Sequence, residues 1–386
     1  MKNEFLLFHK PFISEDEVNE IVDTVRSGWL SMGPKTIRFE QEFNSYIGSK
    51  HSVAVSSWTG GGHLTLEAFG IKPGDEVIVP TMTFPATAEI VCYFGAKPVI
   101  IDVDYDTLNL TAEGIEKAIT PKTRALIPVH YGGQPCDIDE ILEIARRYNL
   151  KVLEDAAHSL PAYYKGKKIG SISDVTCFSF YATKTLSTGE GGMICTNDDE
   201  IAERCKIMRL HGINRDAWKR YSESGSWYYE VVAPGYKYNF TDLQASLGLP
   251  QLKKVDEMWE WRRRIAARYT EAFKDFELFE LHGIKSDRES SWHLFPIRLN
   301  LDMLTINRAQ FIEEVKKYYV GLGVHFMPVH QHKFYNETFN LSDKDYPVAS
   351  SVFPRLVSLP IYPGMSDKLV DRVINVIVDV LNKFKR

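Results

Sequence analysis

Apolar positions in this chain recur with two different periods, and the places where one gives way to the other divide it into elements. Near the start, Ser14-Glu15-Asp16-Glu17 reads as a capping box ahead of Val18, Ile21, Val22 and Val25. That i, i+3, i+4, i+7 stripe, stopped by Gly28, predicts an amphipathic helix. Beyond it, short apolar runs alternate with helical stripes: Val53–Val55 then Leu64–Phe69, Val77–Val79 then Ala86–Phe94, Val99–Val103 then Ile115–Ile119, Leu126–Val129 then Ile138–Tyr148, and then Val152–Leu153. Such alternation predicts an α/β protein with a mostly parallel central sheet covered by helices, whose ligands sit beyond the carboxyl ends of the strands.

Residues 241–273 form one long helical pattern. Pro250 inside it lacks an N–H and crowds the preceding turn, which predicts a bend. The remainder, His293–Leu299, Arg308–Tyr319, Val324–Met327 and Asp367–Phe384, reads as strand, helix, strand and closing helix. We therefore expect a large domain over residues 1–240, then a linker helix and a smaller C-terminal α/β domain over 241–386. There is no internal repeat and no low-complexity tract.

Composition narrows the class. At 386 residues, 44% hydrophobic and 25% charged, the chain can bury a sizeable core. A net charge of −5 without a basic run argues against a nucleic-acid surface. The five cysteines, Cys92, Cys136, Cys177, Cys195 and Cys205, are odd in number and lack a C-x-x-C pair; free thiols in a reducing cytoplasm are expected, and no structural metal. Phe5-Leu6-Leu7-Phe8 is too short for a signal-peptide core, and no stretch has the length of a membrane span.

The chemistry concentrates at two places. Phe178-Ser179-Phe180-Tyr181-Ala182-Thr183-Lys184 reads as an apolar, strand-like run ending in a lysine, followed by Gly189-Glu190-Gly191-Gly192. Upstream, Lys151-Val152-Leu153 leads into Glu154-Asp155-Ala156-Ala157-His158, which brings a carboxylate to the end of a second buried strand. An amine able to form a Schiff base and a carboxylate able to keep a pyridinium nitrogen protonated are the two requirements of a pyridoxal phosphate site. Taken alone, Lys184 reads equally as a lysine snorkelling from a strand end, and Asp155 as a helix cap. A Ser57-Trp58-Thr59-Gly60 turn at a helix start would offer N–H groups to a phosphate, helped by the hydroxyls of Thr59 and Ser179; alone it is only a cap.

These segments, with Gly235-Tyr236-Lys237-Tyr238-Asn239-Phe240-Thr241-Asp242, make the chain similar to the sugar aminotransferases of the DegT/DnrJ/EryC1/StrS family, from about Gly28-Trp29-Leu30 to Leu359-Pro360. Tyr164-Lys165-Gly166, Pro128-Val129-His130-Tyr131 and the stretch from Pro234 resemble the members that aminate UDP-4-keto sugars, including the aminoarabinose type. The resemblance implies a fold-type I PLP-dependent transferase, with Lys184 as the cofactor-bearing amine and Asp155 on the ring nitrogen. His158 would face the ring hydroxyl or the substrate, Phe84 would stack on the ring, and Thr59, Gly60 and Ser179 would hold the phosphate. Asn239 would reach the cofactor phosphate of a neighbouring subunit, which makes a homodimer with shared sites the expected unit. The family usually has a small residue and alanines where this chain has Trp58 and Gly60-Gly61-Gly62. Those glycines should cost roughly 1 kcal/mol each relative to alanine in a helix.

His325 and His330 are expected at the substrate mouth of the small domain, and Lys237 and Arg209 on a nucleotide diphosphate. The reaction expected is transfer of an amino group from glutamate to a nucleotide-linked keto sugar. A sugar dehydratase or an aminohydroxybenzoate-type synthase on the same scaffold, and a catalytically silent PLP-fold regulatory subunit, are the alternatives. Related dehydratases carry histidine where this chain has Lys184, which speaks against the first of these.

Overall fold

The chain folds as the strand and helix alternation predicts; the computed structural model describes residues 4–214 and 228–386. Seven strands form the central sheet in the order His51–Val55, Gly192–Thr196, Val175–Ser179, Lys151–Asp155, Thr123–Leu126, Glu76–Pro80, Lys97–Ile101. Every pairing from Val175–Ser179 across to Lys97–Ile101 is parallel. Gly192–Thr196 alone runs against both of its neighbours. The parallel strands are apolar because helices cover both faces: Leu64, Val77, Val79, Leu126, Val152, Leu153 and Cys177 are all buried.

The helix Trp58–Ala68 explains its three glycines. A Cβ on Gly61 would stand 2.6 Å from Cys177 Sγ, and one on Gly62 would stand 2.8 Å from Ile90 Cδ1. The helix therefore lies close against the sheet at Gly61 and close against the helix Ala86–Cys92 at Gly62, and the loss of helix propensity is offset by this packing. Gly192 does the same at the helix start, where a Cβ would meet the Ser57 carbonyl carbon at 2.7 Å and the Trp58 nitrogen at 2.8 Å.

The second sheet is small and antiparallel, ordered Phe279–Leu281, Phe295–Leu299, Leu356–Leu359. Its core takes residues from the helices Asp242–Phe273, Arg308–Lys316 and Asp367–Lys383, and also Leu6 from the N-terminal segment. Val329, Tyr335, Tyr346, Ala349 and Val352 pack instead into the core of the large sheet. The long helix is capped by Thr241 with Gln244 in a capping box and runs through Pro250 without interruption to Phe273.

Two expectations about elements need correction. The run ending at Lys184 is not a strand to its end: the strand stops at Ser179, after which Phe180 N–H donates to Gly191 O and Lys184 N–H closes a turn on Tyr181 O at 2.8 Å. Residues 324–327 form no strand; Leu356–Leu359 pairs with Phe295–Leu299, leaving only an isolated bridge between Gly323 and Ser358.

Replacing Gly61 by alanine should lower the unfolding free energy by about 1–3 kcal/mol, the range for overpacking a tight core, as read from denaturant unfolding. A variant as stable as the parent would mean that the helix has room to move off Cys177.

Candidate active site

Asp155 is the last residue of its strand, beyond the carboxyl edge of the sheet, where its neighbours fix it. Its Oδ2 accepts from Thr87 Oγ1 at 2.9 Å and its Oδ1 from Ala157 N–H at 3.1 Å. Thr87, on the first turn of the helix Ala86–Cys92, is itself bonded to Thr83 in the preceding loop at 2.7 Å, so the hydroxyl that meets the carboxylate is held by a second one. Burial pushes the Asp155 carboxyl up to about 6, against the Ala157 and Thr87 hydrogen bonds and the Lys184 charge, which pull it down. Behind it, Glu154 holds His130 at 2.9 Å in a fully buried pair, and His130 N–H donates to Asp155 O.

Lys184 stands on the turn after Ser179 and lines the same cavity as Asp155, one of about 540 Å³. Burial lowers its amine to about 8, while the Asp155 charge works the other way. An amine desolvated in this way has a far larger unprotonated, nucleophilic fraction near neutral pH than an ordinary lysine.

Ser57, Trp58 and Thr59 line one end of the cavity, together with Ser179. The N–H groups of Trp58 and Thr59 are the first of their helix and have no intrahelical carbonyl to receive them, which makes this end suited to an anion. Trp58 is anchored by its indole N–H, which donates to Cys177 O at 3.1 Å. The opposite wall is aromatic. Phe326 stacks on His158 with ring centres 5.6 Å apart and meets Phe84 edge-on at 5.9 Å, while Phe84 remains largely exposed at the rim. His325 lines the cavity with Nδ1 fixed on Ser358 Oγ at 3.0 Å, and burial lowers it to about 4.

The structure gathers Thr59, Phe84, Asp155, His158, Ser179, Lys184 and His325 around this cavity. Other expected residues lie elsewhere. The amide of Gly60 is taken by its own cap, donating to Ser57 Oγ at 3.0 Å, and Gly60 packs on the Tyr238 ring. His330 is buried away from the cavity, bonded to Thr81 Oγ1 at 2.6 Å and Asp343 Oδ1 at 3.1 Å and stacked on Tyr346 at 4.1 Å. Arg209 is buried in an ion pair with Glu40 and also donates to Ala54 O at 2.7 Å, so it is no diphosphate ligand in this arrangement. Lys237 is exposed and outside the cavity lining. Asn239 does not line this cavity either: it is buried beside Val55 and donates to Phe240 O at 3.1 Å.

Sequence reasoning missed Thr87, Tyr181, Glu190, His293 and Phe326, all of which line the cavity. The position of Phe326 beside His325 was a readable signal for the last of these. No group of side chains suited to a metal ion occurs among the described residues.

The donor set fits pyridoxal phosphate. Lys184 would hold its aldehyde, Asp155 its ring nitrogen, and the helix start at Trp58 and Thr59 its phosphate.

Residues 11–378 match the DegT/DnrJ/EryC1/StrS aminotransferase family. The chain is 47% identical over 381 residues, 98% of each chain, to the spore coat polysaccharide biosynthesis protein SpsC of Bacillus subtilis. Among solved structures it resembles the putative sugar aminotransferase Spr1654 of Streptococcus pneumoniae in its PMP form, with a TM-score of 0.91, 34% identity and coverage of 98% of this chain and 99% of that one. It also resembles Helicobacter pylori PseC, an aminotransferase involved in pseudoaminic acid biosynthesis, with a TM-score of 0.91, 26% identity and coverage of 99% and 100%.

The rate at which cofactor-free protein forms its covalent link to pyridoxal phosphate should rise with pH along a curve centred near 8, because only the unprotonated amine attacks. In Asp155→Asn the midpoint should move lower still, since the charge that favours the ammonium is gone. A midpoint near the ordinary 10.5 in the parent protein would show that Lys184 is hydrated.

Proposed function

Because the chain belongs to the DegT/DnrJ/EryC1/StrS aminotransferase family, a family of PLP-dependent sugar aminotransferases, we propose that it transfers an amino group from glutamate to a nucleotide-linked keto sugar, a UDP-4-keto sugar in particular. The observation that carries this reading is the pairing of the desolvated amine of a half-buried Lys184 with a buried Asp155 in one cavity. When bound, pyridoxal phosphate supplies the electron sink for the carbanion character developed at the substrate carbon.

The chain's own residues supply the rest. Asp155, anchored by Thr87 and Ala157, would hold a negative charge against the ring nitrogen. The Lys184 amine, held in the same cavity and lowered to about 8, would serve as the base that moves the proton at the substrate carbon. Trp58, bonded to Cys177 O, fixes the helix start that would receive the phosphate. Phe84 and Phe326 meet edge-on at the rim and give that side of the cavity an apolar wall. The lysine favours transamination over the dehydratase reading, because it provides both the covalent attachment and the proton transfer. The match to PseC supports the aminotransferase reading, and the match to the spore coat polysaccharide protein supports a sugar acceptor made for a polysaccharide.

The acceptor class is tested by comparing kcat/KM for UDP-, dTDP- and GDP-linked 4-keto-6-deoxy sugars, a UDP-linked 4-keto pentose, a 3-keto isomer and a small keto acid, with glutamate as donor. UDP-linked 4-keto sugars should be preferred, since a large anionic handle supplies binding energy that orients the ketone. Preference for the 3-keto isomer, or equal use of the keto acid, would overturn the assignment.

The same reading makes the active unit a homodimer in which Asn239 serves the neighbouring site; its position outside its own chain's cavity is in keeping with this. Mixing inactive Lys184→Ala and inactive Asn239→Asp proteins under subunit exchange should restore part of the activity. Absence of rescue, with exchange demonstrated, would put both residues in one subunit's site.

A further inference from the structure

Across the cavity from Asp155, one residue is built into the wall with unusual care. His293 lies on the turn that enters the strand Phe295–Leu299, and that turn is fastened to the large domain at several points. Ser291 N–H donates to Gly133 O and Leu294 N–H to Gly132 O, each at 3.1 Å, and the Ser291 hydroxyl bonds the carbonyl of His158. From the other side Arg262, fully buried and without a carboxylate partner among the described residues, donates its Nη1 to the carbonyls of Trp292 at 3.2 Å, His293 at 3.3 Å and Ile361 at 2.8 Å. Between them Trp292 sits at φ +52°, a left-handed conformation that a bulky residue keeps only when its surroundings enforce it. The result is that the His293 ring lies 4.4 Å from that of His158, on the wall shared with Lys184.

Both imidazoles are 7% exposed, both line the cavity, and each carries a buried Nδ1 with no hydrogen-bond partner among the described residues. Buried polar atoms without partners are rare, and two of them on adjacent rings in one cavity point to a ligand. Burial, with Lys184 nearby, holds both rings neutral. A neutral imidazole offers one donor and one acceptor, as a hydroxyl does; a carboxylate asks for donors only.

We propose that His293 is a specificity-determining residue for the acceptor, forming with His158 a paired site for a hydroxyl on the carbon next to the reacting carbonyl. The inference rests on the nucleotide-sugar reading above and adds to it the feature of the sugar that the cavity selects. Arg262 acts as the positioning residue that holds the His293 turn.

The test compares a UDP-linked 4-keto sugar bearing its 3-hydroxyl with the 3-deoxy counterpart. The parent enzyme should favour the hydroxylated acceptor in kcat/KM by about tenfold or more, because its absence leaves buried polar groups unpaired. In His293→Phe the loss should be at least tenfold greater for the hydroxylated than for the deoxy acceptor, and greater than the loss in the half-reaction with glutamate. His293→Gln, which retains a donor and an acceptor, should recover part of the preference. Equal losses on both acceptors would make His293 a packing residue, and a loss confined to the glutamate half-reaction would make it a carboxylate site; either overturns the inference. Turnover by the parent enzyme without hydroxyl preference removes this inference alone, whereas no turnover of any nucleotide-linked keto sugar removes the functional reading and the inference together.

Discussion

Two groups of opposite charge taken out of water together set the terms for the rest of this structure. A buried carboxylate and a buried amine are each costly, and each responds by shifting toward its neutral form: Asp155 up to about 6, Lys184 down to about 8. Each also moderates the shift of the other. A cavity that holds them side by side has to surround the carboxylate with fixed donors, and Thr87 and the Ala157 N–H do so. The parallel sheet makes this possible, since the carboxyl ends of Lys151–Asp155 and Val175–Ser179 lie side by side at one edge.

The packing around the pair follows from the same demand for rigid placement. Gly61 and Gly192 let a helix start press on the sheet beside Cys177, which puts free N–H groups at one end of the cavity. The other wall comes from the C-terminal part of the chain, and it is tied across by Ser291 to His158 and by Tyr131 to the His325 carbonyl. The cavity is therefore bounded by groups whose positions are set from both sides, in keeping with an enzyme that relies on preorganised geometry.

Much of this was legible in the residues before the fold was known. Asp155 could be placed because it ends a buried apolar run, and Lys184 because a lysine with such company rarely serves only solvent. Its local conformation could not, because the strand stops where Phe180 finds Gly191, a pairing set by the antiparallel return of Gly192–Thr196. Arg209 was expected on a diphosphate and His330 at the substrate mouth, yet their partners Glu40 and Tyr346 become neighbours only through the tertiary fold. Gly60 was misplaced for a local reason: the Ser57 hydroxyl takes its N–H, leaving the two earlier amides to an anion. Thr87 and His293 escaped notice because their roles depend on where a crossover helix and a distant turn come to rest.

The central claim is that Lys184 is the amine that carries the cofactor. It is tested most directly by reducing the purified holoenzyme with borohydride, digesting it and mapping the modified peptide by mass spectrometry. A single phosphopyridoxyl adduct on Lys184 is the result this account predicts. No adduct, or an adduct on a different lysine, would contradict it.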